Sequence, residues 1–315
     1  MKDKCVLITG ATGTFGSAFV PRILDYHSPS RVVVFSRDEL KQSEMAAIYH
    51  HDDRLRFFLG DVRDRDRLKI ALKGIDVVIH AAALKQIPAG EYDPHEFIKT
   101  NIGGTQNVLM EAQSAGAQKV LVLSSDKAAA PLTLYGSTKN IAEHLARTAN
   151  HYDPGGCISS ALRYGNVAGS RGSVIPLWRG MIANGAKVLP ITHPGMTRFF
   201  FSVKDAVDFA LWSLDHMKGG ELFVPRMKSF NVTDLAEAMG CQYTISGIRG
   251  AEKLSEVMVT SEEARYFRRW EGIFVRFPDG ILEGDSLPEG FEYRSDNNPE
   301  WLSVDALKAL LSCLP

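Results

Sequence analysis

The sequence predicts an α/β fold in which a doubly wound parallel sheet is joined to a second, smaller domain, and three observations predict it. Short apolar or β-branched runs alternate with helix-like segments through about residue 165. The first of these runs ends in a glycine-rich turn that leads directly into a helix-like stretch. Beyond residue 165 the alternation gives way to irregular Pro and Gly punctuation. Repeated βα units call for a parallel sheet covered by helices on both faces.

Taken in order, Val6-Leu7-Ile8-Thr9 reads as the first strand, and Phe15 to Leu24, with apolar residues at helical spacing, as the first helix. Arg31 to Phe35 follows the turn signal His27-Ser28-Pro29-Ser30, and Arg54 to Leu59 precedes Gly60-Asp61, which makes both buried strands. Asp76 to His80 and Lys119 to Ser124 are two more, separated by a helix expected over Glu96 to Ser114. After Arg163-Tyr164-Gly165-Asn166 the chain is expected to enter the smaller domain. Val203 to Met217 reads as a helix that returns to the sheet, and Ser303 to Leu311 as a short amphipathic helix. The expected division is residues 1–165, with a return segment at about 200–225, against 166–199 and 226–315. At 315 residues the chain has room for roughly two domains of ~150 residues each.

Composition narrows the function classes. Lys plus Arg number 36 against 37 for Asp plus Glu, so there is no bulk attraction to nucleic acid or to anionic lipid, and neither is expected as a partner. Cys5, Cys157, Cys241 and Cys313 form no CxxC pair, and the histidines, His50 and His51 included, form no HExxH, so no metal and no disulfide framework is expected. The apolar run at Cys5 reaches glycine by Gly10, too short for a signal core or a membrane span. A cytoplasmic protein is expected.

Gly10-Ala11-Thr12-Gly13-Thr14-Phe15-Gly16 sets three glycines between strand and helix. Glycine allows a tight turn and close approach of backbone to a pyrophosphate, while the helix N-terminus offers unpaired N–H donors and a favourable dipole. This is the pattern of a dinucleotide site. At the end of the second strand, where an acidic residue would bind the ribose hydroxyls of NAD, the sequence has Ser36-Arg37. A hydroxyl and a guanidinium suit a 2′-phosphate, so NADP is expected over NAD, with Lys41 as additional charge. Asp61-Val62 after the third strand is a candidate for the adenine edge.

Tyr135-Gly136-Ser137-Thr138-Lys139 places a phenol and an ammonium four residues apart, on one face of a helix. A nearby ammonium favours phenolate, and a phenolate can accept a sugar hydroxyl proton as hydride leaves the same carbon. Ser125 at a strand end is placed to hold that hydroxyl.

Glycine turn, strand-end hydroxyl and YxxxK together resemble the extended short-chain dehydrogenase/reductases, which implies a Rossmann-type sheet. The match extends over about residues 4 to 260 and is closest to the configuration-inverting UDP-N-acetylglucosamine 4,6-dehydratases of the pseudaminic acid type. It is carried by Ser36 to Gln42, Gly60 to Asp64, His80 to Gln86, Lys99-Thr100-Asn101, Ser125 to Ala129, Arg163 to Val167, Gly169 to Val174, Met196 to Phe199 and Glu252-Lys253-Leu254. Ser125 stands where Thr is usual and keeps the hydroxyl. The segment Arg249 to Glu256 lacks the Pro-Gly and the His of the family pattern.

The resemblance implies the chemistry. Oxidation at C4 acidifies the C5 proton, Lys127 removes it, Asp126 protonates the departing C6 hydroxyl, and hydride returns to C6. Burial or nearby positive charge would have to lower the Lys127 pKa towards roughly 7–8 for this role. It also implies cofactor contacts from Ala81, Ala82, Lys85 and Asn101, with Thr100-Asn101 similar to the structural Asn of the family that shapes the active site and its proton path, and UDP-sugar contacts from Lys85, Asn166, Arg171, Arg198 and Glu252. The expected enzyme is thus a hydro-lyase and a homo-oligomer that acts on UDP-N-acetylglucosamine or a closely related UDP-sugar. The alternatives are a retaining 4,6-dehydratase, a UDP-sugar 4-epimerase, or a non-catalytic NADP sensor.

Overall fold

The computed structural model describes residues 1–49, 52–248, 250 and 252–314. His50, His51, Arg249 and Ala251, which figured in the sequence reading, lie outside the described residues. Strands β1 (Cys5–Thr9), β2 (Arg31–Ser36), β3 (Leu55–Leu59), β4 (Val77–His80), β5 (Lys119–Ser125) and β6 (Ile158–Tyr164) all run parallel in the order β3-β2-β1-β4-β5-β6. Their continuous apolar character follows from burial on both faces: Val6, Leu7, Ile8, Val32, Val34, Val120 and Leu121 are fully enclosed. The order reverses at β1, where crossovers of constant hand send the chain to opposite faces. Helix α1 (Thr14–Tyr26) packs on the helix Val203–His216, while the helices Arg65–Ala71, Gly104–Ser114 and Leu134–Thr148 pack in sequence on one another.

The return segment brings Leu222–Val224 alongside β6 in parallel. A sheet ending there would present a row of unpaired backbone groups. Phe267–Trp270, Ile273–Arg276 and Asp285–Ser286 cover it as antiparallel strands, making a ten-stranded sheet. These residues were expected with the smaller domain, yet Phe267, Phe274 and Val275 belong to the large core. A separate apolar cluster holds Trp178, Leu189, Ile191, Phe230, Leu235 and Leu307, from segments on either side of the return segment.

The helix expected over Glu96 to Ser114 is interrupted. Pro94–Phe97 and Gly104–Ser114 are α-helical, but Ile98–Gly103 between them is π-helical, a widening often found at functional sites. No helix among the described residues is long and apolar enough to cross a membrane.

Candidate active site

The loops that follow β1, β4, β5 and β6 at their C-terminal ends open onto one cleft of about 920 Å³. This is where ligands bind in sheets of this topology. Gly10 has φ +66°, and a Cβ there would lie 2.9 Å from the Ala82 backbone, so the turn and the β4 loop can meet only with glycine. The cap of α1, Gly13, brings no side chain to the helix N-terminus, and the first turn has no acidic residue. Its N–H groups are left to an anion. Two buried hydroxyls, Thr100 Oγ1 and Ser124 Oγ, lack any partner and line the cleft. A bare helix end, a glycine cradle and two unsatisfied hydroxyls fit a nicotinamide dinucleotide.

Thr12, Thr14, Phe15, Ser36, Arg37, Lys41, Val62, Ala81, Ala82 and Lys85 all line this cleft, with Gly10 and Gly13. Thr12 and Ser36 hydroxyls are hydrogen-bonded at 2.8 Å, which joins the glycine turn to the end of β2. Three expected cofactor contacts have other work. Gly16 lies against Ala11, where a Cβ would come within 2.2 Å of the carbonyl oxygen. Asp61 accepts from the Arg63 guanidinium at 2.6 and 3.0 Å, with Arg37 at 3.4 Å, and its carboxylate does not line the cleft. Asn101 is enclosed in the π-helix and braces the β4 loop, bonding Leu84 N and O at 2.8 and 2.9 Å and Thr138 at 3.0 Å.

The helix Leu134–Thr148 begins at Thr133, whose hydroxyl accepts from Gly136 N. Tyr135 and Lys139 therefore sit one turn apart, both buried and both lining the cleft. The Lys139 ammonium donates to the Leu123 carbonyl, and burial pushes its pKa down to about 8. Burial raises the Tyr135 phenol, against which the Lys127 charge and a hydrogen bond with Ser125 act. The Lys127 charge thus acts on the phenol, an influence that the sequence reading did not assign.

Ser125 caps a short 3₁₀ turn, Asp126–Ala128, with its hydroxyl accepting from Lys127 N at 3.2 Å and donating to Asp126 Oδ1 at 2.7 Å. The Lys127 ammonium donates to Asp126 Oδ2 at 2.8 Å and to Asn166 Oδ1 at 2.9 Å, and lies 3.4 Å from Glu256 Oε1. Burial opposes its charge, but Asp126 and Glu256 prevail and raise the Lys127 pKa above the usual ammonium value. The lowered value expected of a base is therefore not found in this arrangement, because the two carboxylates outweigh both burial and the nearby Arg198 charge.

Glu256 is the residue that sequence reading missed. It lies four positions beyond Glu252, and the carboxylate that this segment carries to Lys127 is that of Glu256. The signal was an acid leading straight into the apolar strand Val257–Val259. Arg198 also departs from expectation: its Nε stands 3.3 Å from Glu256, and its other donors end on the carbonyls of Thr197, Lys253 and Leu254. Asn166 and Arg171 line the cleft, but Arg171 approaches the glycine turn, its N–H 3.4 Å from Thr14 Oγ1.

Comparison with known proteins agrees with this geometry. Residues 6–277 match the family described as polysaccharide biosynthesis protein. The chain is 41% identical to a UDP-N-acetylglucosamine 4,6-dehydratase (inverting) of Campylobacter jejuni, over 98% of this chain and 97% of that one. It is 38% identical to a UDP-glucose 4-epimerase of Rickettsia conorii, over 99% and 96%. Among solved structures, Pen from Bacillus thuringiensis superimposes with a TM-score of 0.90 at 33% identity, covering 99% of both chains. Sequence, fold and site converge, and the chain belongs to the polysaccharide biosynthesis protein family, on the extended short-chain dehydrogenase/reductase fold.

Proposed function

We propose that this chain is a UDP-N-acetylglucosamine 4,6-dehydratase that inverts C5 and yields UDP-2-acetamido-2,6-dideoxy-β-L-arabino-hex-4-ulose. The observation that carries the reading is the Asp126–Lys127 pair, hydrogen-bonded at 2.8 Å in the turn next to Tyr135. Oxidation or epimerisation at C4 needs a phenol base alone, whereas loss of water across C5 and C6 needs a second acid and a second base. The Campylobacter jejuni relative supports the same reading.

Tyr135 takes the proton of the C4 hydroxyl, which Ser125 orients. A nicotinamide held in the cleft would supply the hydride chemistry, as acceptor from C4 and donor to C6. Lys139 would hold the cofactor ribose near Tyr135, and Arg37 with Lys41 would meet the 2′-phosphate that favours NADP. Lys127 removes the C5 proton and Asp126 protonates the leaving C6 oxygen. The ion pair is one proton shift from that state: moving a proton from Nζ to Oδ2 makes acid and base together. Exclusion of water by the sugar favours the uncharged pair.

The test is UDP-N-acetylglucosamine deuterated at C4. The expected outcome is label at C6 of a 4-keto product with inverted C5, read by mass spectrometry and proton NMR. Retained C5 configuration would make the enzyme a retaining dehydratase. Label kept at C4 in an epimerised sugar would favour the activity named for the Rickettsia conorii relative.

A further inference from the structure

Four charged side chains, Asp126, Lys127, Arg198 and Glu256, meet where Lys127 reaches the cleft, and the last two have no part in the chemistry above. Glu256 Oε1 lies 3.4 Å from Lys127 Nζ and 3.3 Å from Arg198 Nε, and its side chain is 7% exposed. It is fixed from below: its N–H donates to Ser295 Oγ at 2.9 Å, and Ser295 is hydrogen-bonded to the Thr197 hydroxyl at 2.7 Å. Arg198 is tied to three carbonyls and Asp126 is held by Ser125 and Lys127, so none of these partners can swing aside. A base at C5 must be a neutral amine. An ionised Glu256 at this distance, in a water-poor setting, holds Lys127 as ammonium.

We propose that Glu256 sets the proton state of Lys127, and that in the form of the site that deprotonates C5 it is the neutral acid, hydrogen-bonded to Asp126. This rests on the dehydratase reading and adds a positioning residue to it. The groups facing the two carboxylates are Lys127, Arg198 and Lys253 for Glu256, and Lys127, Ser125, Tyr135 and Lys253 for Asp126. Burial and the neighbouring Asp126 raise the Glu256 carboxyl. Burial would raise Asp126 too, but Lys127, Glu256 and Ser125 together hold it below the ordinary range. A proton entering the pair therefore settles on Glu256.

The loss of water then balances. As the sugar enters, an N–H bond of Lys127 breaks and an O–H bond forms on Asp126. Asp126 passes that proton to the C6 oxygen, which leaves as water, while the Lys127 amine takes the proton from C5. The site ends as the carboxylate–ammonium pair of the structure, with Glu256 neutral throughout.

The pH–rate profile of Glu256→Gln tests this, because glutamine keeps the shape and the hydrogen bond but cannot ionise. In the unmodified enzyme turnover falls as rising pH ionises Glu256 and locks Lys127 as ammonium. The variant's alkaline limb is expected to lie at higher pH, so that on that limb it turns over faster than the unmodified enzyme. Coincident limbs, or a variant slower at every pH, would overturn the proposal. Should the variant not fold, carboxyl NMR of glutamate-labelled holoenzyme reads the same property. One glutamic acid that stays protonated after the other glutamates have ionised supports the assignment, and titration of every glutamate together overturns it. Failure of the unmodified enzyme to form any 4-keto-6-deoxy sugar would instead sink the dehydratase reading, which separates the two failures.

Discussion

The Lys253 ammonium donates to the Ala130 carbonyl at 2.9 Å and to that of Ala129 at 3.0 Å, pinning the turn that carries Asp126 and Lys127. Ala130 has φ +44°, a conformation that alanine resists and that external bonds must hold. Lys253→Met keeps the apolar stem and removes both bonds. Turnover is expected to fall about 10- to 100-fold with NADP affinity unchanged, and stability by about 1–3 kcal/mol. A variant with normal turnover would mean that the turn holds itself.

Lys139 gives a pH signature with a definite sign. Its pKa is about 8 in the fold against 10.5 as a free side chain. Between those values the unfolded chain binds a proton that the folded chain does not, so stability rises with pH through the window and is least below about pH 8. Lys139→Met should abolish turnover and raise the cofactor-free stability near pH 7, by up to about 3 kcal/mol, an advantage that shrinks above about pH 8. Melting curves across pH decide it: a difference constant with pH would exclude a buried charge here.

Arg37 is half exposed at the cleft beside Ser36. Arg37→Ala is expected to weaken NADP binding by about 10- to 100-fold, the worth of a charge-assisted hydrogen bond, and to leave NAD binding unaffected. Fluorescence titration with both reduced cofactors checks this, and equal losses would remove Arg37 from the 2′-phosphate.

Gly16→Ala and Gly180→Ala should act in opposite directions. A Cβ at Gly16 would meet Ala11 backbone atoms at 2.2 to 2.5 Å, whereas at Gly180, inside the helix Val174–Ala183, it meets nothing within 4 Å. The first is expected to cost at least about 1–3 kcal/mol and the second to gain about 0.5–1 kcal/mol in denaturant unfolding. Similar effects at both sites would contradict the packing at the glycine turn.

Five of the six parallel strands were legible because each is a short apolar run bounded by turn residues, and the glycine turn because its spacing sits between strand and helix; the sixth, Ile158–Tyr164, carries the polar run Ser159-Ser160 and was not read as a strand. Tyr135 and Lys139 share a helix face by spacing alone, and Asp126 and Lys127 are chain neighbours. The π-helical stretch at Thr100 and Asn101 was not legible, since helical periodicity cannot separate two closely related windings over six residues. Nor was the hairpin Phe267–Arg276, whose place follows from the open edge at Leu222–Val224.

From the residues alone came the order of the elements, the nucleotide turn and the pairs of groups that neighbour each other along strand, turn or helix. These depend on steric and hydrophobic properties that act over a few positions of chain. The charge on Lys127 was decided only when the fold carried Glu256 across 129 positions of chain to its side and turned Arg198 onto Glu256. A proton affinity answers to the charges within a few ångströms and to the water excluded around them, and neither is a property of sequence distance.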